Sequence, residues 1–347
     1  MATYSARAYS AYGQLLGYLR PLSVEAGMVV NAVGEASVTV AQERLPAWWK
    51  DVQYLDVWRY SGAGRARRWG GYQVRGWTEQ VSGAKRTWRF AAKTLTHLLS
   101  GRPGMQNTTA ASATTRELAE RAVLTGLGAW PLALPVTLLG VDGPSQRLTA
   151  KQTNQATLAA LKALVDAAKA FPLAEPFNVA LFPQVGADGG LTLTLATWTG
   201  EYGQDRRVTS GARPVVVWPN AHTTGWEATE DRASLTTVAE LGGGYRRVAG
   251  AALDNPFGEY WATYKSSTSA TYAQDVTDAQ AAIQAGRPVT RMQLPLTVDL
   301  DALDLGLGDV VSVAYGGAFV DGRVNVLHAS WSESGETVSA RVDVEAG

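Results

Sequence analysis

The closing stretch of the chain, residues 305–344, holds three β-rich runs separated by glycine turns. The first is Val310-Val311-Ser312-Val313-Ala314-Tyr315. Gly316-Gly317 separates it from Arg323-Val324-Asn325-Val326-Leu327, and Glu333-Ser334-Gly335-Glu336 leads into Thr337-Val338-Ser339-Ala340-Arg341-Val342-Asp343-Val344. Side chains that alternate with period two stand on opposite faces of a strand, and short turns join such strands antiparallel. A three-stranded meander is therefore expected. It opens on Leu305-Gly306-Leu307-Gly308-Asp309, where Asp309 reads as a turn residue and nothing reads as catalytic.

The same alternation runs through the first third. Ser37–Val40, Tyr54–Tyr60, Tyr72–Trp77 and Thr87–Phe90 alternate apolar with polar, and turns at Ser61-Gly62-Ala63-Gly64 and Ser82-Gly83-Ala84-Lys85 separate the later runs. Strands this short and this closely spaced imply a compact antiparallel sheet or barrel. Before them, Tyr4, Tyr9, Tyr12, Leu15, Leu16 and Tyr18 recur at roughly helical spacing up to Pro21. That segment reads as a terminal helix packed on its own domain, or as an arm reaching a neighbouring subunit. Lys93–Leu99 reads as a short helix or strand end, stopped by Gly101 and Pro103.

Two helices are expected in the middle. One runs from a capping threonine at Thr114 or Thr115 to Leu124, with Glu117 and Glu120 early and Gly126 and Gly128 ending it. The second is capped by Asn154, carries Leu158, Leu161, Leu164, Val165 and Ala168 on one face through Lys169, and closes at Pro172. Residues 128–150 have no assignment. Strands then return at Asn178–Phe182 and Leu191–Trp198, around the hairpin signal Ala187-Asp188-Gly189-Gly190. Pro214–Trp218, Ser234–Leu241, Tyr245–Gly250, Tyr260–Tyr264 and Arg291–Val298 read as further strands, and Ala273–Ala285 as a short helix.

Composition narrows the chemistry. A chain of 347 residues has room for two or three domains or one long composite. It has no cysteine, hence no disulfide framework and no thiolate chemistry. Lys+Arg and Asp+Glu stand at 31 each, so there is no general attraction for nucleic acid or an anionic membrane. The N-terminal residues do not read as a signal peptide. The longest apolar run, Trp130–Val141, is broken by Pro131 and Pro135 and is too short to span a bilayer. A soluble protein made in the cytoplasm is expected. Twelve Trp and 36 Gly suit a β-rich chain with many turns and large amphipathic side chains at contacts.

No catalytic motif emerges. His97, His222 and His328 are far apart and none stands at metal-pair spacing. Gly242-Gly243-Gly244 lies between two strands and lacks the Lys-Ser/Thr of a phosphate-binding loop, so it reads as a hairpin turn. Glu227, Glu230 and Asp231 beside Trp226 have the residue types for acid, base and stacking platform of a glycosidase, and equally those of a polar loop. Glu201, Asp205, Arg206 and Arg207 read as a charged loop, and Arg65, Arg67 and Arg68 as a solvated one. No catalytic, cofactor-binding or metal-binding residue is assigned, and no cofactor is expected.

Three stretches resemble the tail-hub (baseplate hub) proteins of long-tailed bacteriophages, in the siphophage hub family related in fold to the contractile-phage hub. The first is Leu55-Asp56-Val57-Trp58-Arg59 followed by Trp69-Gly70-Gly71-Tyr72-Gln73-Val74, similar to a barrel hairpin of that family. The second runs from the helix Asn154–Lys169 through the strands to Trp198, Asp205-Arg206 and Pro214-Val215-Val216-Val217. The third, Gly306–Val344, is similar to a closing pattern Leu-Gly-Asp-x-Val-x-Val, then Arg-Val, then Gly-Glu-x-Val. Residues 1–27 and 128–150 have no counterpart.

The resemblance implies a β-rich α+β fold with two small antiparallel β-barrel-like domains and helical segments between them. The implied division is an N-terminal helical or arm segment (1–27), a first β-barrel-like domain (28–105), a helical connecting region (106–175), a second β domain begun at 176–268, a short helix (269–290) and a C-terminal meander completing the second domain (291–347). It also implies a non-enzymatic homotrimeric ring at the virion tail tip, assembled in the host cytoplasm. The implied partners are a distal tail protein or tail tube ring, the tape measure protein and a tail fibre or tip protein. DNA would pass only in transit, and no membrane insertion is expected. A carbohydrate-binding or carbohydrate-active β protein, and a distal-tail or fibre-base component, are the alternative expectations.

Overall fold

A computed structural model describes residues 2–100, 113–129, 134–143, 145–146, 157–169, 177–209, 213–223, 225–231, 238–241, 246–249, 261–264, 283 and 289–346. Seven strands come first: β1 (Thr3–Tyr9), β2 (Leu15–Leu19), β3 (Ser23–Val29), β4 (Glu35–Ala41), β5 (Tyr54–Tyr60), β6 (Ala66–Ser82) and β7 (Lys85–Thr94). The middle of the chain holds β8 (Ala113–Thr114), helix α1 (Thr115–Ala129), β9 (Val136–Gly140), β10 (Ser145–Gln146) and helix α2 (Thr157–Lys169). Next come β11 (Phe177–Val185), β12 (Leu191–Thr199), β13 (Asp205–Arg206), β14 (Val216–Val217) and β15 (Glu227–Asp231). A small separate sheet contains β16 (Val238–Leu241), β17 (Arg246–Ala249) and β18 (Trp261–Tyr264). The last four are β19 (Val289–Thr297), β20 (Val310–Tyr315), β21 (Ala318–Ser332) and β22 (Gly335–Ala346).

Most of these strands form one continuous sheet in the order β15-β19-β22-β21-β3-β4-β7-β6-β5-β1-β2, with β20 beside β21 and with β13 and β14 on β20. The path contains one unit built twice. In each unit a strand leads through a short helical turn to a second strand, then to a long bulged strand and its hairpin partner. In the first unit β4 pairs β7, β7 pairs β6, and β6 pairs β5. In the second β19 pairs β22, β22 pairs β21, and β21 pairs β20.

The registers coincide. Val74↔Ala92 and Gly76↔Ala91 around the bulge in β6 match Val324↔Val342 and Val326↔Arg341 around the bulge in β21. Both hairpins close on the same frame, Ser82↔Lys85 and Ser332↔Gly335. Val74 N–H donates to Gln53 O at 2.9 Å, and its counterpart Val324 N–H donates to Asp309 O at 2.9 Å. Each unit also has an outer strand, β3 on β4 and β15 on β19, both antiparallel. The β-rich α+β class expected from the sequence is observed, with the barrel-like sheet left open.

Three expectations are corrected. The N-terminal segment is not a helix: β1 alternates, with Tyr4, Ala6 and Ala8 buried, and it hydrogen-bonds along the whole of β5. The tyrosine spacing suggested a helical period because alanines, weak as hydrophobic signals, hold the other inward positions. Phe177–Thr199 does not join the terminal meander, since β11, β12 and β9 form their own sheet, with β9 parallel to β12. The strands that do join it are β13, β14 and β15. Finally, α1 continues through Gly126 and Gly128 to Ala129. Helix α2 begins at Thr157, while Asn154, the triple glycine and most of the expected helix Ala273–Ala285 lie outside the described residues.

One core runs under both units, with Val38, Val57, Trp69, Phe90, Leu294, Val313, Leu327 and Val342 among its members. A second core packs α1 and α2 on the β9-β12-β11 sheet through Leu118, Leu164, Phe177 and Leu193. Amphipathic helices on one face of a small sheet form a separate layer, as expected of an α+β arrangement.

The units are clamped by a charged cluster as well as by strand pairing. Arg59, 5% exposed, donates Nε and Nη2 to Glu336 at 2.7 Å each and Nη1 to Asp301 at 2.7 Å. Tyr4 donates its hydroxyl to Glu336 Oε1 at 2.5 Å. Burial, reinforced by Glu336, drives the Tyr4 hydroxyl far above its ordinary value. Removing one partner of such a pair strands the other charge, at a cost of roughly 3–5 kcal/mol. Arg59→Met should lower unfolding free energy by about that much in urea denaturation.

Asp301, nearly half exposed, is held below its ordinary value chiefly by its hydrogen bond from Arg59. A depressed carboxylate contributes stability above its unfolded value and loses it as pH falls through the folded one. The difference between wild type and Asp301→Asn should therefore be full above the ordinary value of 3.8. It should shrink below that pH, and given the exposure should not exceed about 1 kcal/mol.

Candidate functional site

The residues singled out by sequence do not converge on one centre. His97 closes a 3-10 turn, with Nδ1 2.8 Å from Ser100 Oγ, and burial holds its imidazole below the ordinary value. His222 ends a four-residue helix and accepts the Trp218 N–H at Nδ1, 3.2 Å away. His328 sits on β21 opposite Gly27. Among the described residues no group of three His, Cys, Asp or Glu is placed to hold a metal. Glu227 and Glu230 lie on the β15 ladder, both exposed, at positions whose parity sends their side chains to opposite faces. Trp226 packs its ring against Tyr315, 5.9 Å between centroids, and donates Nε1 to Asn220.

Arg65 is exposed in the turn before β6, as a solvated loop residue, whereas Arg67, Arg68, Arg206 and Arg207 are structural. Arg68 lies on β6 rather than in a loop, with Nε 3.0 Å from the buried carboxylate of Asp56 and Nη1 donating to Pro183 O. Burial pushes the Asp56 carboxyl up despite the attraction of Arg68. Arg67 reaches Leu305 O.

Arg206 is 5% exposed and donates to three carbonyls, those of Arg213, Asp304 and Leu303. Arg207 bridges Asp205 and Asp321, and Glu201 pairs with Arg323. Sequence offered no signal for these roles, because most of the partners lie about a hundred residues away.

Asp309 does more than turn the chain. Its carboxylate is buried and accepts Gly306 N–H at 2.7 Å and Gln204 N–H at 2.8 Å, with Arg206 Nη1 3.8 Å away. Gly308, at φ +79°, permits the turn and lies against Tyr202, where a Cβ would meet the ring. Burial pushes the Tyr202 hydroxyl up to about 12. The Leu-Gly-Asp opening therefore fastens the loop after β12 to the start of β20. Asp309→Ala would leave two buried donors unmatched, and each costs about 1–3 kcal/mol. Destabilisation of roughly 2–6 kcal/mol is expected by thermal or urea unfolding, with Asp309→Asn less affected.

The features suited to function are surfaces. Trp77 is 49% exposed and packs beside Trp49 and Trp88, with centroids 4.9 and 4.8 Å away. Trp218 and Phe319, 52% and 54% exposed, meet edge-on at 6.2 Å beside the β20–β21 turn. Tyr12, Leu15 and Tyr18 lie exposed along the hairpin that forms one sheet edge. Exposed aromatics and unpaired edges together mark contact surfaces. A cleft of about 750 Å³ separates the meander from α2 and β11 and is lined by the Glu201–Arg323 and Arg341–Asp343 pairs.

No family profile and no curated protein sequence matches the chain. Solved structures do. The tail protein of Neisseria meningitidis MC58 superposes over 99% of this chain and 96% of its own, with TM-score 0.54 and 12% identity. The 43 kDa tail protein of prophage MuSo2 from Shewanella oneidensis covers 99% and 98%, with TM-score 0.55 and 10% identity. Prophage tail protein gp18 from Listeria monocytogenes EGD-e covers 98% and 94%, with TM-score 0.53 and 11% identity. This is a phage tail protein fold. At such identities the likeness is one of architecture, carried over nearly the whole length of both chains.

Proposed function

We propose that the chain is a structural, non-enzymatic tail hub of a long-tailed phage, a homotrimeric ring at the tail tip. The observation that carries this reading is the doubled unit within a phage tail protein fold. Three chains of two units each offer six similar faces, which suits a junction with hexameric tail rings on one side and threefold tip proteins on the other. A distal tail protein or tail tube ring would meet one face. The tape measure protein would end at the channel, and a fibre or tip protein would continue beyond it. The ring would assemble in the host cytoplasm and reside in the virion.

The physical chemistry supports the proposal. Cyclic closure removes exposed sheet edges that would invite aggregation in a monomer. Zero net charge, with 31 basic and 31 acidic residues, lets DNA pass through a channel without general electrostatic trapping. Exposed Trp and Tyr supply large contact areas at low entropic cost. Electron-microscopic class averages of the purified protein, or of the isolated tail tip, should show threefold rings. A stable monomer in both settings would overturn the proposal.

A further inference from the structure

One strand face carries a positive charge that the chain itself does not answer. On β1, Ser5, Arg7 and Tyr9 share the face opposite the buried Ala6 and Ala8. The ladder to β5 sets Trp58, Asp56 and Tyr54 on one flank of these residues. The ladder to β2 sets Tyr18 opposite Arg7 and Leu15 opposite Tyr9 on the other.

Two guanidiniums share one indole here. Arg7 Cζ lies 4.8 Å from the centroid of the Trp58 ring and 5.8 Å from that of Tyr18, and Arg68 Cζ lies 5.2 Å from Trp58. The nearby carboxylate is committed to other partners. Asp56 Oδ1 is 3.0 Å from Arg68 Nε, and Oδ2 accepts from Arg68 Nη2 at 3.1 Å and from Trp58 Nε1 at 2.8 Å. Two positive charges against one negative leave one positive charge over, and it falls on Arg7.

In this Arg7 differs from the other inward arginines. Every other described arginine that is buried or half-buried has a carboxylate within 4 Å. Half-buried Arg7 has no such ion pair. Its Nε, like Ser5 Oγ beside it, is buried with no partner in hydrogen-bond reach. A guanidinium stacked on aromatic rings is held flat and presents a fixed fork of donors, which the two oxygens of a carboxylate match.

The surface beside this fork is aromatic and aliphatic. Tyr18 and Leu15 are 56% and 41% exposed, and Tyr12, in the turn between their strand and β1, is 74% exposed. We infer that this face docks an acidic side chain, Asp or Glu, carried among apolar residues on another protein. Its carboxylate sits on Arg7, and its apolar neighbours sit on Tyr18 and Leu15. Charge complementarity selects this class of partner, because a nucleic acid is held by many cations in a row and this face has one to spare. Aromatic side chains and arginine are also the residues that hold most of the energy in protein interfaces. Arg7 would bind in this way whatever the oligomeric state of the chain.

The probe is the peptide acetyl-Leu-Glu-Leu-amide, compared with its glutamine and phosphoserine counterparts. In the full chain with isotope-labelled arginine, the Nε–H resonance of Arg7 is identified by its loss in Arg7→Lys. The glutamate peptide should shift that resonance to saturation. The glutamine peptide keeps the shape without the charge and should bind at least about tenfold more weakly. Tyr18→Ala removes a mostly exposed side chain and leaves the fold intact, and it should weaken the glutamate peptide about threefold by removing one stacking ring.

An Arg7 resonance that does not move with the glutamate peptide, or equal affinity for the glutamine peptide, would overturn the inference. Tighter binding of the phosphoserine peptide would overturn it too, by assigning the face to a phosphate. Shifts confined to other arginines would overturn its location.

Discussion

The ladder between β21 and β3 is the interaction on which the rest of this structure depends. Without it the chain would be two small open sheets, each ending in unpaired backbone groups. With it, one sheet and one core run under both units. Side chains reinforce the joint from both sides. Trp69 donates its indole N–H to Ala26 O, Trp331 donates to Ala2 O, and Arg59 grips Glu336 across the seam. A buried indole N–H needs a partner, so Trp69 fixes β3 within its own unit and Trp331 ties the second unit to the start of the chain, each as well as filling space.

Strands were legible wherever apolar and polar residues alternate. The terminal meander, the Tyr54–Phe90 block and the hairpin at Asp188-Gly189 all stand where period two predicts. The tail-hub resemblance read from three stretches agrees with the fold found in solved phage tail proteins. The repeat was not legible in the residues themselves. Aligned by register, Tyr72–Thr94 and Gly322–Val344 are identical only at Val74/Val324, Ser82/Ser332 and Thr87/Thr337. A sheet register requires burial parity and turn geometry, which many side chains satisfy, so the topology can persist after the sequence has diverged.

Long-range polar fastenings were also beyond sequence reasoning. Asp309 was read as a turn residue, which it is, but its buried bond to the Gln204 backbone spans a hundred positions. Arg206 and Arg68 looked like loop charges because composition does not show which arginine finds a carbonyl or carboxylate in the core. The exposed Trp77 gave the opposite problem. A tryptophan in an alternating strand reads as core, yet Trp77 is half exposed where its counterpart Leu327 is buried under β3.

One sheet carrying two like units suits a chain that takes two of six similar places in a ring. The most direct measurement is a map of the assembled oligomer at a resolution that traces strands. The ring reading predicts threefold symmetry, with the two units of each chain in similar places around one channel. A map that shows a monomer, or an assembly without threefold symmetry, would contradict it.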